Sequence, residues 1–197
     1  VEPRSNKSQV RIERILEAAQ EVFSHKGYNE ASVDEIAAAS QTSKGGVYFY
    51  FPNKQTIFLN LLDRVADMLL SRARQAMAAE PDPLCKGDAA LLTMLRTFAG
   101  HRRLARLFLV EALGAGREFN LKILEIHTAF AALIADHLDD LVRTGLIAPL
   151  DTRLAGLAWF GGVNEVVRRW ILTGEPADLE TTYPALRDLL RRSIGQK

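Results

Sequence analysis

The chain of 197 residues carries 25 Lys/Arg against 24 Asp/Glu, a formal net charge of +1, with 48% hydrophobic and 25% charged residues. That is ordinary for a globular protein long enough to bury a core, and the balance excludes recognition of a polyanion by bulk charge alone. No apolar run nears the roughly 20 residues that span a bilayer.

Apolar residues recur at helical spacing almost throughout and no segment sustains period-two alternation, so the expected fold class is all-α. The first helix is predicted over residues 8–25, with Ile12, Ile15, Leu16, Ala19, Val22 and Phe23 as its buried stripe and Gly27 just past its end. Ser32 and Glu35 have the spacing of a capping box and open a second helix that runs to about residue 40. Ser43 is an N-cap for a short third helix that must end before Pro52. Asn53 caps a long fourth helix to about residue 79, apolar along Ile57, Phe58, Leu61, Leu62, Val65, Met68 and Leu69. Pro81 and Pro83 break it.

Behind this break the spacing predicts helices over 88–99, 102–113, 117–144, 152–172 and 179–194, separated by a break at 114–116, by Gly145 and Pro149, and by Gly174 and Pro176. About nine helices result, three short ones in front and a larger helical part behind, joined through the fourth. The single cysteine, Cys85, excludes an internal disulfide, and the polar N-terminal stretch shows no apolar signal region. A cytoplasmic protein without a membrane partner is the expectation.

The most informative segment is 43–54, which combines hydroxyls, two lysines, Gly45-Gly46 and a run of aromatics. Each glycine costs about 1 kcal/mol inside a helix, a loss that close approach of backbone to a phosphate or base edge would offset. Lys44 and Lys54 are the only charges between Ile36 and Leu62. Lys54 falls in the first turn of a helix, where the dipole disfavours a cation, so an external anion is its expected partner. Two short helices around the turn Gln41-Thr-Ser43 read as a helix-turn-helix. The same residues also fit a connector pinned by Val47, Phe49 and Phe51, in a helical protein–protein adaptor without DNA binding. No Ser-His-acid set, phosphate-binding glycine loop, dinucleotide fingerprint or metal-ligand spacing is present, so no enzyme activity, catalytic residue, metal or cofactor is expected.

Residues 8–70 resemble the DNA-binding domain of the Tet repressor family. The resemblance is carried by Phe23-Ser-His-Lys-Gly-Tyr28, Ser32-Val33, Ile36-Ala37, Ser43-Lys-Gly-Gly-Val-Tyr48, Tyr50-Phe-Pro-Asn-Lys54 and Ile57-Phe58. It implies a ligand-responsive transcriptional regulator, usually a repressor, that acts as a homodimer on a palindromic double-stranded DNA operator. Residues 1–54 would form the DNA-binding domain, continuing through the fourth helix to about residue 70, and 55–197 the effector-binding and dimerisation domain. Thr42, Lys44 and Gly45 would face base edges, and Ser32, Ser43, Tyr48, Tyr50 and Lys54 phosphates. Gly46 would permit close approach, and Arg4 or Lys7 would reach the backbone or minor groove. The family usually has glycine where Gln41 stands. Either Gln41 adopts a left-handed conformation, at roughly 1 kcal/mol, or the turn differs and the third helix tilts.

The helix at 152–172 is apolar over more than one stripe, so it must be buried on more than one face, and a partner subunit would cover one of them. With the last helix it supplies the expected dimer interface: Leu157, Gly161, Val167, Tyr183, Leu186 and Leu190. The family's effector cavity lies among the rear helices, which assigns Phe98, Phe108, His127, Phe130, Phe160, Asn164 and Arg168 to a small, mostly lipophilic effector.

Overall fold

The structure, a computed structural model, describes residues 6–112 and 116–195. Among them the chain is helical throughout, with α1 (Asn6–Glu30), α2 (Val33–Ala39), α3 (Lys44–Tyr50), α4 (Lys54–Ala79), α5 (Lys86–Gly100), α6 (Arg102–Arg106), α7 (Arg117–Arg143), α8 (Thr152–Thr173) and α9 (Tyr183–Ser193). Arg4 of the tail, and Leu113 and Gly114 at the sixth predicted boundary, lie outside the described residues.

Gly27, at φ 79° and ψ 166°, interrupts the first helix where its end was expected, and a short further helical stretch follows to Glu30. Two predicted boundaries need correction. The predicted helix at 102–113 is a single α-helical turn and a half followed by a π-helical segment, Leu107–Glu111. The wider coil directs Leu107, Phe108 and Leu109 together into the core. The last predicted helix starts as a 3-10 turn, Leu179–Thr182, capped by Asp178, and becomes α-helical where Pro184 fits the first turn.

One apolar core runs from front to rear. Ile15, Phe23, Ile36 and Val47 pack on Ile57, Phe58, Leu61 and Leu62 of α4, and the same cluster continues into Leu95, Leu107, Phe119, Val167 and Trp170. Its hinge is aromatic: Phe23 meets Phe58 edge-on at 5.2 Å, Phe58 meets Phe119 at 5.4 Å, and Tyr28 meets Phe119 at 5.1 Å. Such pairs contribute about 0.5–1.5 kcal/mol each beyond area burial, so α1, α4 and α7 are fastened at one point.

In the rear, α7 and α8 form an antiparallel hairpin whose backbones nearly touch. A Cβ on Gly156 would lie 2.4 Å from the Ala131 carbonyl oxygen, so only glycine permits this crossing. Leu138, Leu141 and Ile147 form a smaller core at the far end of the hairpin. Among the described residues no helix is long and apolar enough to cross a membrane.

Candidate nucleic-acid interface and ligand cavity

The front face is built from caps. The Ser32 hydroxyl accepts from the Glu35 backbone N–H at 3.3 Å while the Glu35 carboxylate accepts from the Ser32 N–H at 3.0 Å. Lys26 pairs with the same carboxylate, and that hydrogen bond, then those from Ser32, hold the Glu35 pKa down to about 2. Ser43 caps α3 by accepting from the Gly46 N–H at 3.1 Å. Between the two helices Gln41 adopts the left-handed conformation, φ 52°. Arg14, which the sequence did not single out, braces the turn by donating to the Ser40 carbonyl and the Gln41 side-chain oxygen, both at 3.3 Å.

With the turn so fixed, α3 buries Val47 and leaves Lys44, Gly45, Tyr48 and Phe49 at the surface. Lys44 is exposed and paired with Asp34 at 2.9 Å, which raises its pKa through that hydrogen bond and charge. Tyr48 is 42% exposed. Thr42 is half-buried beside them, its hydroxyl donating to the Ser40 carbonyl at 3.3 Å. Tyr50 is half-buried and lines an open groove of about 560 Å³ with Lys7, Ser8, Val10, Arg11 and Arg14. This basic groove unites the front end of α1 with the end of α3, a juxtaposition invisible in the linear charge count.

Two expectations here need correction. Lys54 does not wait for an external anion. Its ammonium donates to the carbonyls of Tyr28, Asn29 and Ala31 at 2.8, 3.0 and 2.9 Å and lies 4.7 Å from the Tyr28 ring centroid. These carbonyls end α1 at its negative pole, which outweighs the unfavourable dipole of the lysine's own helix. Gly46 is crowded from within the protein: a Cβ there would lie 2.9 Å from Thr42 Cγ2 and 3.1 Å from Ser43 Oγ. Gly45 has no such constraint, since a Cβ would meet nothing within 4 Å.

A cavity of about 140 Å³ lies among α4, α5, the π segment, α7, α8 and α9. Phe98, Phe108, His127, Phe130, Phe160 and Asn164 all line it. Phe130 stacks on Phe160 at 5.6 Å and the His127 ring tilts against Phe160 at 4.8 Å. Arg168 does not line it. It faces outward on α8 and pairs with Glu165 at 2.8 Å, because position 168 falls beyond the inward stripe of Asn164 and Val167. Polar groups that sequence reasoning missed as cavity lining are Asp88, His137 and Arg191. Arg191 pairs with Asp88 at 2.5 Å, and its buried Nε has no hydrogen-bond partner. Burial lowers the pKa of both His127 and His137, so the walls carry neutral imidazoles at neutral pH.

Residues 15–61 match the bacterial regulatory proteins of the tetR family, and residues 62–193 match the C-terminal region of YsiA-like proteins. The chain belongs to the tetR family. It is a DNA-binding transcriptional regulator and not an enzyme, which sets the adaptor reading aside. This tetR-family regulator is 26% identical over 185 residues to the fatty acid metabolism regulator protein of Bacillus subtilis (strain 168), covering 93% of this chain and 95% of that one. It is 29% identical over 175 residues to the HTH-type transcriptional regulator TtgR of Pseudomonas putida, with 84% and 82% covered. The fatty acid degradation regulator FadR from Bacillus halodurans has the same fold at TM-score 0.81 and 28% identity, with 90% of this chain and 96% of that one covered. FadR from Bacillus subtilis, solved in complex with stearoyl-CoA, matches at TM-score 0.81 and 26% identity over the same shares.

The helices assigned to dimerisation divide differently in the tetR-family regulator than their sequence suggests. Val167 is fully buried within the subunit, and Leu186 is buried too. Both belong to inward stripes, Val167 with Trp170 and Ile171, so neither is free to meet a partner, which corrects their assignment. Tyr183 and Leu190 are half-buried against the same core. Leu157, at 56% exposure, and Gly161 do face outward, joined by Leu154 and Leu172 of α8 and Leu189 of α9.

Proposed function

We propose that this regulator is a cytoplasmic homodimeric repressor, released from a palindromic operator when a long-chain acyl compound fills the rear cavity. The observation that carries the reading is the cavity itself, walled by Phe98, Phe108, Phe130 and Phe160, with a charged pair, Asp88 and Arg191, also on its wall. An alkyl chain gains about 0.8 kcal/mol per buried CH₂ in such surroundings. The FadR relative solved with stearoyl-CoA has the same fold, which favours an acyl thioester over other lipophilic ligands.

Residues 1–54, extended along α4 to about 70, act as the DNA-binding part, and 55–197 as the sensor and dimer part. The outward stripe of Leu154, Leu157, Gly161 and Leu172 supports pairing of α8 with its symmetry mate. Two α3 helices then enter successive major grooves about 34 Å apart. Gly45, Lys44 and Thr42 lie at base edges. Ser43, Tyr48 and Tyr50 lie toward phosphates, with Ser32 near them although its hydroxyl is already committed to Glu35. The basic groove of Lys7, Arg11 and Arg14 adds a phosphate contact.

Coupling has a visible route. Phe108 and Leu109 line the cavity, and Glu111 on the same π segment accepts from the Tyr28 N–H at 3.3 Å, in the stretch that Lys54 holds. A ligand changes operator affinity only by its differential affinity for the two arrangements of this segment. The test is titration of a protein–operator complex with stearoyl-CoA, with free coenzyme A as control. Release by the acyl thioester alone supports the reading. Retention of DNA at saturating stearoyl-CoA, with no thermal stabilisation of the protein, overturns it.

A further inference from the structure

We infer that Phe49 reads sequence, by packing its ring against the C5-methyl group of a thymine in each operator half-site. The inference rests on α3 docking in the major groove. Phe49 is 81% exposed, more than any other large apolar side chain described. An aromatic ring of this size is ordinarily buried on folding, and here it stands on the helix that the family uses against DNA. Its position is defined, since Tyr50 meets it edge-on with centroids 5.0 Å apart.

The neighbours of Phe49 leave it little competition. Lys44, placed at base edges, stands five positions earlier and projects from a different face of α3. Gly45, one turn earlier on the same face, offers no side chain, and a Cβ there would meet nothing within 4 Å. The strip of α3 that Phe49 shares with Gly45 is thus poor in long hydrogen-bonding groups, and its most exposed large side chain is a phenyl ring. Phosphate oxygens give such a ring no apolar partner, and a contact with a sugar carries no sequence information. In the major groove the apolar feature of the four standard bases is the thymine methyl, and contact of apolar side chains with it is an established mode of readout. The ring therefore reports whether that methyl is present.

The experiment uses the full-length protein and an operator duplex selected from a randomised pool. Each thymine is replaced singly by deoxyuridine, which removes the methyl and keeps every hydrogen-bonding group. Wild type should lose about fourfold in affinity per half-site at one thymine position, the worth of one buried methyl group. Phe49→Ala should bind the thymine and uracil duplexes equally at that position, and Phe49→Leu should keep part of the preference. The outward ring makes no core contact, so both variants should melt with wild type. A selected half-site without thymine overturns the inference, and so does an equal penalty for uracil in wild type and Phe49→Ala at every position. Stearoyl-CoA release of the Phe49→Ala complex, read on the same duplex, reports separately on the repressor reading.

Discussion

The front and rear of the molecule use their polar groups in opposite ways. In front, nearly every hydroxyl, carboxylate and cation around the turn is committed to a neighbour: Ser32 to Glu35, Arg14 to the turn at Gln41, and Lys54 to the end of α1. In the rear, α7 and α8 cross closely at Gly156 and then part around an apolar void. A surface that reads a duplex must hold its shape before binding, because disorder there would subtract from affinity. A sensor must instead keep a space whose filling favours one packing over another. The two parts meet where Glu111 and Lys54 both hold the kinked end of α1.

The largest expected effect breaks the front. Lys54→Ala removes a cation that donates to the carbonyls of Tyr28, Asn29 and Ala31. Losing charged hydrogen bonds of this kind costs about 1.5–3 kcal/mol, so urea denaturation should show destabilisation near the top of that range, with operator binding reduced as well. Loss of operator binding with an unchanged urea midpoint would return Lys54 to the role of a phosphate ligand. Next in size is a change in the rear. Gly156→Ala drives a methyl to within 2.4 Å of a backbone oxygen on α7, an overpacking worth about 1–3 kcal/mol, and the thermal midpoint should fall. Gly161→Ala and Gly162→Ala, where a Cβ meets nothing within 4 Å, should raise the subunit's stability by up to about 1 kcal/mol each through helix propensity, so any loss they cause should fall on dimer affinity.

The parts of this division that sequence revealed are those set by local chemistry. Ser32, Ser43 and Asn53 are caps because a hydroxyl or amide at the right offset meets free N–H groups a few residues on. The cavity aromatics were legible through family likeness alone, since helical spacing by itself marks a buried aromatic and not a cavity wall. What failed was anything decided by a distant partner. Nothing near Lys54 in sequence discloses the carbonyls 23 to 26 positions earlier. Gly46 looked like Gly45 until Thr42 Cγ2 was seen above it. Val167 and Leu157 are both apolar residues of one helix, and only the direction of α7 tells which faces in.

The paired glycines of α3 sharpen the same contrast at smaller scale. Alanine raises helix propensity by up to about 1 kcal/mol over glycine, so Gly45→Ala, with open space around it, should stabilise the protein slightly. At Gly46 the crowding against Thr42 offsets that gain, and Gly46→Ala should be neutral or destabilising. Operator affinity should fall for Gly45→Ala despite its higher stability, which separates a residue kept for DNA from one kept for packing. Equal operator affinity for Gly45→Ala and wild type would remove Gly45 from the interface.

The smallest effect concerns the turn. Gln41 holds φ 52° without being glycine, a conformation that costs an L-residue about 1–2 kcal/mol. Part of that is returned by its side-chain oxygen, which accepts from Arg14 at 3.3 Å in an exposed setting. Such a bond contributes about 0.5 kcal/mol. Gln41→Gly relieves the backbone and gives up the bond, while glycine's freer unfolded chain takes back a further 0.4–1 kcal/mol or so. The terms largely cancel, and the unfolding free energy from urea denaturation should move by about 1 kcal/mol or less. Arg14 keeps its bond to the Ser40 carbonyl, so the tilt of α3 and operator affinity should hold. A drop in affinity at unchanged stability would mean that Gln41 orders the basic groove through Arg14, and that the front reads DNA with its turn as well as with α3.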